Sequence, residues 1–353
     1  MQKRLRLSLG MLLAVVASLL MMGQVASADQ GVGFEITPVQ SSSQVDKRLS
    51  YFDLKLKPRQ TQTVAVKIHN TASEPITINI GIAKATTNIN GVVEYKHTNN
   101  RSANLPYDIS KLVTTDEPQV KLAKGQVKTV KFQIKMPAQS YQGILAGGIT
   151  FLKKATATDT KKAVAVNNQY AYTEAVILHG SKDLTTNQLT MNKITVKQLN
   201  GRNAINFPLV NHTAAYLNKV QTNIKIYHRG GSQVVYHQKL ANGQMAPNSI
   251  YKLPLQTGEK ALAAGKYTAV VKVTSKKQHW QFKQNFVITK GQADTLNKTA
   301  VLKQGPNWWL YIGIGLLLLL LIILVIWYIR RKQKKIRSLE EQLAEKNRQD
   351  SES

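Results

Sequence analysis

A run of 22 residues without a charge, from Trp308 to Ile329, constrains this chain more than any other feature. At about 1.5 Å per residue, such a helix is about 33 Å long, enough to cross the hydrocarbon core of a bilayer. Aromatic rings favour membrane interfaces and basic residues favour the cytoplasmic side. Residues of both kinds flank the run: Trp308, Trp309, Tyr311, Trp327, Tyr328, Arg330, Arg331 and Lys332. The run predicts a single transmembrane helix over residues 308–329 and a basic cytoplasmic tail over residues 330–353.

The start of the chain has the pattern of a secretory signal peptide. Three basic residues precede an apolar run over residues 9–22, and the small residues Ala26-Ser27-Ala28 follow. This order predicts a signal peptide over residues 1–28 that is cleaved before Asp29. The alternative is an N-terminal membrane anchor, for which the apolar run is short. The predicted topology places residues 29–307 outside the cell, held at the plasma membrane by one helix.

Cysteine content and charge narrow the class of protein. The chain has no cysteine, whereas disulfides are expected in eukaryotic secreted proteins, so we interpret it as a Gram-positive surface protein. Residues 29–307 carry 37 basic and 14 acidic side chains. Such an excess attracts polyanions, which at this surface include anionic wall polymers such as teichoic acids. Solubility and retention near an anionic wall explain the same excess without a dedicated site.

Between its ends the chain shows the two-residue alternation of half-buried strands. Examples are residues 63–68, 76–80, 127–134 and 267–273, and turn signals such as Asn90-Gly91 and Lys124-Gly125 separate them. No segment of this region has a helical period. The pattern predicts a mainly β protein with two immunoglobulin-like β-sandwich domains, followed by the single transmembrane α-helix.

The two predicted domains resemble each other. Each has an early strand that ends in an asparagine, Asn70 in the first and Asn211 in the second. A small, polar segment over residues 155–162 predicts the boundary between them. The predicted division is 29–158 for the first sandwich, 163–290 for the second and 291–307 for a stalk. The strand at 169–178 fits either sandwich.

The sequence contains no recognisable catalytic constellation. It has no cysteine nucleophile, no Gly-x-Ser-x-Gly elbow and no glycine-rich phosphate loop. A two-residue hairpin turn at Gly230-Gly231 would place His237 opposite Ile224. His228 and His237 would then lie about 13 Å apart along the strand, too far for one zinc ion. We therefore predict a non-enzymatic protein without metal, cofactor or nucleic-acid partner. Paired carboxylates meet only in the folded chain, so a wall-modifying enzyme stays as an alternative.

Two features bear on binding. The Gly147-Gly148 step lies inside an apolar strand and predicts a bulge or a close backbone approach. We favour a bend; the alternative is an exposed edge to which another protein adds a strand. Trp280 alternates with Phe282, which predicts that Trp280 packs in a core; the alternative is stacking on a sugar ring or a partner surface.

Several short motifs together resemble the WxL-interacting proteins of low-GC Gram-positive bacteria. The residues that carry the resemblance are Tyr51, Phe52, Pro58, Asn88, Asn90, Gly91, Tyr95, Gly147, Gly148, Ala246, Pro247, Asn248 and Trp280. The chain departs from the family pattern at Ser43, where an asparagine is usual, and at Arg59, where a glycine is usual. The first change is expected to alter an N-terminal strand contact. The second adds a charge in a turn, where we expect it to be tolerated.

The resemblance implies a first domain that binds peptidoglycan and a second that contacts host extracellular matrix. It also implies WxL-domain surface proteins as partners and brings no catalytic residues. The resulting hypothesis is a membrane-anchored surface scaffold. The alternative is a general cationic adhesin that electrostatic attraction holds at the anionic wall, and salt distinguishes the two because it screens exposed charges.

Overall fold

A computed structural model describes residues 32–96, 105–154, 170–302 and 308–352, with side chains as far as 341. The chain divides into a compact β unit that ends at Ala300 and a helical unit that begins at Val301. The predicted signal peptide and the predicted boundary segment 155–162 lie outside the described residues.

The first sandwich consists of two facing sheets. One sheet has the order β1-β3-β8-β6 and the other the order β2-β10-β9-β4-β5, with β7 also on β4. The strands are β1 Phe34–Val39, β2 Phe52–Lys55, β3 Thr61–Asn70, β4 Ile76–Thr87, β5 Val93–Tyr95, β6 Val113–Thr114, β7 Gln119–Leu122, β8 Val127–Lys135, β9 Ile144–Lys153 and β10 Ala171–His179; helix α1 is Ile109–Leu112. Phe34, Phe52, Phe132 and Phe151 fill the core between the sheets.

Strand β10 belongs to the first sandwich. It runs antiparallel to β9 and parallel to β2, with Val176 opposite Phe52. The sequence left this strand unassigned, and its pairing now resolves the ambiguity. The sheet orders follow the immunoglobulin scheme. In that scheme the first, second, fifth and fourth strands form one sheet, which here are β1, β3, β8 and β6. The third, sixth and seventh form the other, which here are β4, β9 and β10.

The second sandwich repeats this plan. Strand β13 pairs with β11, β12 and β16 in one sheet, and the other sheet has the order β15-β14-β17-β18. The strands are β11 Leu189–Met191, β12 Thr195–Leu199, β13 Arg202–Asn211, β14 Leu217–His228, β15 Val234–Met245, β16 Ile250–Gln256, β17 Gly265–Ser275 and β18 Gln278–Ile288. Phe207 and Tyr267 are fully buried, and Trp280 packs against this core from β18, in agreement with its predicted role. The predicted fold class is therefore confirmed.

A buried asparagine holds together the end of each sandwich. Asn70 Nδ2 donates to the carbonyls of Glu74, Leu122 and Ala123, and its Oδ1 accepts from the Ala72 amide. Both side-chain ends are thus bonded to loop backbone, which removes the penalty of burying an amide.

Asn211 makes a similar set of bonds in the second sandwich, where its Oδ1 also accepts from Asn187 Nδ2. Its Nδ2 donates to the carbonyls of Ala215 and Ala246, and its Oδ1 accepts from the Thr213 amide. Both asparagines are fully buried, and both bond residues two and four positions further along the chain. The shared bonding pattern supports the internal duplication expected from the sequence.

The segment predicted as a stalk begins with a helix that packs on the second sandwich. Helix α2, Lys290–Thr299, starts with a capping box in which the Thr289 and Gln292 side chains bond each other's backbone amides. Ala293 is buried, and Gln198 Nε2 donates to the Leu296 carbonyl at 2.6 Å. The part of the predicted stalk up to Thr299 is therefore ordered structure of the β unit.

Two local predictions need correction. Strand β9 is an interior strand whose register with β4 and β10 is unbroken, so Gly147 and Gly148 lie neither in a bulge nor at an edge. The turn after β14 is longer than two residues and β14 pairs with β15 through bulges, so His237 lies opposite Lys225.

The helical unit contains α3, Trp308–Glu352, which is long and apolar enough to cross a membrane. Beside its basic end, the Arg331 guanidinium lies 5.2 Å from the centre of the Trp327 ring, and Lys332 Nζ lies 5.6 Å from that of Tyr328. Trp308 and Tyr311 form a ring pair at the other end.

Candidate ligand-binding site

Most of the signature residues gather where the two sandwiches meet. Asn88 closes a turn after β4: its Oδ1 accepts from the amides of Asn90 and Val92. In this turn Gly91 adopts a positive φ, and its carbonyl accepts from the Gln244 amide of the second sandwich at 2.7 Å. A side chain at Gly91 would lie 3.0 Å from the Tyr251 hydroxyl, so the glycine permits this close approach.

The loop after β15 supplies the other half of this interface. The amide of Ala246 donates to Thr87 Oγ1, which also lies 2.7 Å from Ser249 Oγ. Pro247 and Asn248 face Ala146 across a narrow crevice. Asn248 is buried with φ 46°, and its side chain donates to the His212 carbonyl. These signature residues therefore hold the sandwiches together.

Glycines in β9 make room for side chains on both faces of their sheet. A Cβ at Gly147 would lie 2.4 Å from Ile109 in the core, and one at Gly148 would lie 2.7 Å from the Tyr95 ring. Tyr95 crosses the outer face of the sheet and is hydrogen-bonded to Tyr216 of the second sandwich. Burial raises the pKa of both hydroxyls, so both stay protonated at neutral pH.

The remaining signature residues of the first sandwich lie around β2. Phe52 is buried in the core, whereas Pro58 is exposed in the turn after the strand. The Lys57 carbonyl accepts from the Gln60 amide across this turn, and Arg59 adopts φ 62° within it. Gln44 Nε2 donates to the Tyr51 carbonyl at 2.7 Å, which fixes the approach to β2.

Pro58 lines a largely apolar cavity of about 390 Å³. The cavity is lined by Lys55, Leu56, Lys57, Pro58, Met136, Pro137, Gln139, Ser140, Tyr141, His179, Gly180 and Ser181. Lys55 and Lys57 are exposed at its rim. An apolar cavity of a few hundred Å³ with a few polar groups is typical of a small-ligand site.

The segment Gln139–Tyr141 separates this cavity from a second one of about 650 Å³. The second cavity is polar and lies between the sandwiches, lined by Pro106, Tyr107, Gln139, Ser140, Tyr141, Gln142, Leu184, Thr186, Gln188, His212, Thr213, Ala214 and Asn248. The ring of Tyr107 packs edge-on against that of Tyr141, with 5.9 Å between the ring centres. Amides, hydroxyls and an aromatic ring thus surround this space.

Backbone contacts hold the dividing segment in place. The Tyr141 hydroxyl donates to the Leu178 carbonyl, and the Tyr141 carbonyl accepts from the Ser181 amide. A Cβ at Gly180 would lie 2.2 Å from that same carbonyl, so only glycine fits there. Gly143 approaches the Ala214 carbonyl of the second sandwich equally closely. Both cavities therefore have a preformed wall.

A cluster of three polar side chains fixes the strand beside the apolar cavity. His179 Nε2 lies 2.6 Å from Asp53 Oδ1 on β2, and His179 Nδ1 lies 3.3 Å from Asp183 Oδ1. These contacts connect β10 to β2 and to the loop that follows β10. Among the described residues, no three histidine, aspartate or glutamate side chains gather as metal ligands would.

The dividing segment was not among the residues singled out in the sequence. Tyr107 and Tyr141 are two of thirteen tyrosines in the chain, and no local motif distinguishes them from the others. The polar run Gln139-Ser140 beside an aromatic residue was a weak signal, because its cavity partners lie far away in sequence. Conversely, most of the signature residues make contacts within or between the sandwiches.

Two family profiles match the chain, and the second of them begins before β10, the last strand of the first sandwich. Residues 34–153 match the profile described as WxL Interacting Protein, peptidoglycan binding domain, and residues 161–298 match WxL Interacting Protein, host binding domain. Both profiles describe binding domains. No curated protein shows significant similarity to the chain.

Solved structures with a similar arrangement share little sequence. The YadV chaperone has 10% identity and a TM-score of 0.30, with 72% of this chain and 100% of that one covered. The E. coli chaperone DraB has 11% identity and a TM-score of 0.26, covering 72% and 98%. A PapD-like domain of human CEP192 has 8% identity and a TM-score of 0.27, covering 46% and 95%.

Proposed function

The chain belongs to the WxL interacting protein family, and from this premise we propose that it binds peptidoglycan through the two cavities beside Tyr141. The coarser conclusion, a surface protein that binds the cell wall, rests on the two matched binding domains. The observation that carries the finer proposal is the pair of preformed cavities on either side of the segment Gln139–Tyr141.

The apolar cavity fits the stem peptide of peptidoglycan. Stem peptides carry alanine methyl groups and free carboxylates on one short chain. Leu56, Pro58 and Met136 offer apolar contact for the methyl groups, and Lys55 and Lys57 offer positive charge at the rim. Burial of the methyl groups contributes about 0.8 kcal/mol for each carbon. The lysines select for a carboxylate near the entrance.

The polar cavity fits the glycan chain. Sugar rings present hydroxyl groups around their edges and C–H groups on their faces. The amide side chains of Gln139, Gln142 and Gln188 can bond the hydroxyl groups, while the half-exposed ring of Tyr107 can pack on a sugar face. Because the two cavities share Ser140 and Tyr141, a muropeptide can place its sugar in one and its peptide in the other.

Sedimentation with isolated peptidoglycan, stripped of teichoic acid, tests this proposal. The detergent-solubilised full chain is expected to co-sediment at low and at high salt, since packed contacts resist screening. Ser140→Trp fills both cavities from an exposed position and should lower the affinity at least tenfold. Ser73→Trp places the same side chain on an exposed loop of the same sandwich, and we expect less than a twofold change.

Two results would overturn the proposal. Equal binding by Ser140→Trp and the unmodified chain would show that the ligand lies elsewhere. Complete loss of sedimentation in high salt would favour the general cationic adhesin. Digested muropeptides recovered after incubation should be unchanged, because the proposed role is binding without turnover.

The helix α3 is proposed to anchor the protein in the plasma membrane with the basic end in the cytoplasm. Its apolar length and the aromatic and basic residues at its ends support this orientation. Labelling of a cysteine introduced at Ser338 or at Ser73 in intact cells tests it, since the chain has no other thiol. A membrane-impermeant reagent should label only the cysteine at position 73.

We further propose that the second sandwich contacts host surfaces and that WxL-domain proteins are held at the wall through this chain. The family membership supports both partners. Co-purification of WxL-domain proteins with the full chain from solubilised envelopes tests the second partner. Its absence after crosslinking in intact cells would remove that partner from the proposal.

A further inference from the structure

The net positive charge is higher in the second sandwich than in the first. Residues 184–299 contain sixteen lysines and arginines but only two acidic residues, Glu259 and Asp294. Residues 32–183 contain twenty basic and eleven acidic residues. The two halves thus carry similar numbers of basic groups, but the second contains few carboxylates to compensate their charge.

One sheet of the second sandwich has no carboxylate at all. The strands β14, β15, β17 and β18 together contain neither aspartate nor glutamate. Alternate residues of these strands pack inward against the core, and the others form an outer surface. We call this surface the lysine face; its exposed lysines are Lys225, Lys239, Lys266, Lys272 and Lys283. Among the described residues, none of these five forms an ion pair.

The register arranges four of these lysines in a regular lattice. Asn223 of β14 pairs with Lys239 on one side and with Lys272 on the other, so the two lysines are about 10 Å apart. Val270 of β17 likewise lies between Lys225 and Lys283. Lys225 and Lys272 are diagonal neighbours, about 7–8 Å apart. Regular positive charges at this spacing suit a polymer with repeating negative groups.

Uncharged polar side chains fill the positions between the lysines. Asn223, Gln281 and Asn285 offer amides, and Thr268 and Thr274 offer hydroxyls. A trough of about 410 Å³ runs between Lys239 and Lys272, lined also by Gln221, Thr222, Asn223, Leu240, Ala241 and Thr274. Amides and hydroxyls beside a charge can bond the hydroxyl groups of a sugar. The lysine face therefore combines charge for an anion with hydrogen-bonding groups for a carbohydrate.

We propose that the lysine face binds sulfated glycosaminoglycans of host surfaces. Charge complementarity carries the proposal, because a polysulfated glycan has both the repeating anions and the sugar hydroxyl groups that this face accommodates. The choice of a host glycan over a wall polymer rests on the host-binding role proposed for the second sandwich. The contacts are mostly exposed, so binding depends strongly on salt.

Binding of the detergent-solubilised full chain to immobilised heparin tests the proposal. The variant Lys225→Gln, Lys239→Gln, Lys272→Gln, Lys283→Gln should bind at least tenfold more weakly. Its slope of log affinity against log salt should be smaller by about 3, by analogy with single-stranded polyanions. The control is Lys67→Gln, Lys121→Gln, Lys131→Gln, Lys135→Gln, four exposed lysines of the first sandwich. It removes the same charge, and we expect less than a threefold loss.

Each alternative has its own result. An equal loss in both quadruple variants would show attraction by net charge and overturn the proposal. Tighter binding to purified teichoic acid than to heparin would identify a wall polymer as the occupant and also overturn it. Desulfated heparin should bind at least tenfold more weakly than heparin. Peptidoglycan sedimentation of the same preparations reports on the cavities beside Tyr141, which none of the four substituted lysines of the lysine face lines, so the two proposals can fail separately.

Discussion

Asn70 and Asn211 make matching hydrogen bonds in the two sandwiches, yet the sheets around them meet different surroundings. In the first sandwich, the outer face of the sheet that contains β9 and β10 is partly covered by the second sandwich, and Tyr95 lies between them. In the second sandwich, the corresponding sheet of β14, β15, β17 and β18 presents the exposed lysine face. The two sandwiches therefore share the buried asparagine and differ at their surfaces.

This difference separates the residues that determine the stability of the sandwiches from those proposed to bind ligands. The asparagine bonds and the packed strands determine whether each sandwich folds, and they are nearly interchangeable between the two. The cavities beside Tyr141 and the lysine face occur once each, because they depend on loops and outward residues that the core does not constrain. Substitutions inside should therefore act alike in both sandwiches, whereas substitutions outside should act in only one.

The largest expected effect is the loss of either asparagine. Asn70→Ala and Asn211→Ala should each lower the free energy of unfolding of their sandwich by about 3–4 kcal/mol, because several buried carbonyls lose their donor. Hydrogen exchange resolved by peptide measures the sandwiches separately. Asn79→Ala, which removes an exposed side-chain bond to Gln119, is the control at under about 0.5 kcal/mol. A small effect at only one of the two sites would break the equivalence.

The next effect concerns a buried carboxyl that only the first sandwich has. Glu174 on β10 faces the core, and its Oε1 has no partner among the described residues. Burial raises its pKa to about 7 from 4.5. At the last strand of the second sandwich, Gln284 Oε1 accepts from the Ile194 amide instead. The last strand of the first sandwich thus carries a buried titratable group, whereas Gln284 in the last strand of the second is neutral and hydrogen-bonded.

The folded form binds this proton more tightly than the unfolded form does. The contribution of Glu174 to the free energy of unfolding is therefore greatest below pH 4.5 and falls as the pH rises through about 7. Glu174→Gln should therefore be nearly neutral at pH 4 and stabilise the first sandwich by about 2–3 kcal/mol at pH 8. Urea unfolding of both proteins at the two pH values measures the difference. A gain that is the same at both values would contradict the buried, protonated state.

A smaller effect is expected where the sandwiches are joined. Thr87→Val removes the acceptor for the Ala246 amide and the contact with Ser249, at a cost of about 1–2 kcal/mol. Hydrogen exchange should rise in residues 244–249 and stay unchanged in the strand pairs within each sandwich. Thr86→Val, one residue away with only a long 3.4 Å bond, is the matched control. Faster exchange throughout both sandwiches would show that they do not fold independently.

The smallest effect tests a turn in each sandwich. Arg59 adopts φ 62° and Asn200 adopts φ 51°, a region that costs an ordinary side chain about 1–2 kcal/mol but that asparagine tolerates. Arg59→Gly should raise the melting temperature, with a net gain of about 0.5–1 kcal/mol after the greater chain entropy of glycine is counted. Asn200→Gly should change it less. The reverse order would show that the Arg59 side chain makes stabilising contacts of its own.

The fold could be predicted from the sequence because strand alternation is local. The alternating runs at 63–68, 76–80, 127–134 and 267–273 lie within β3, β4, β8 and β17. Helix α2 was missed although Thr289 and Gln292 form a recognisable capping pair. The register at His237 could not be predicted, because bulges in β14 and β15 shift it.

The candidate site was less predictable than the fold. The resemblance identified Pro58 and Gly91, but short motifs do not distinguish a residue that binds a ligand from one that joins two domains. Gly91, Thr87 and Ala246 meet only after the sandwiches pack. The apolar cavity unites residues 55–58, 136–141 and 179–181, which share no local pattern. The cavity therefore depends on contacts between residues far apart in sequence, which local sequence patterns do not predict.

The parallel pairing of β2 with β10 also sets an order of assembly. The sheet that contains Phe52 is complete only when its partner Val176 has been synthesised, 124 residues later. A fragment that stops at residue 153 or 158 would leave β9 and β2 without their shared neighbour, and two such unpaired edges favour strand exchange between molecules. The shortest fragment that we expect to fold alone as the first sandwich therefore extends to His179.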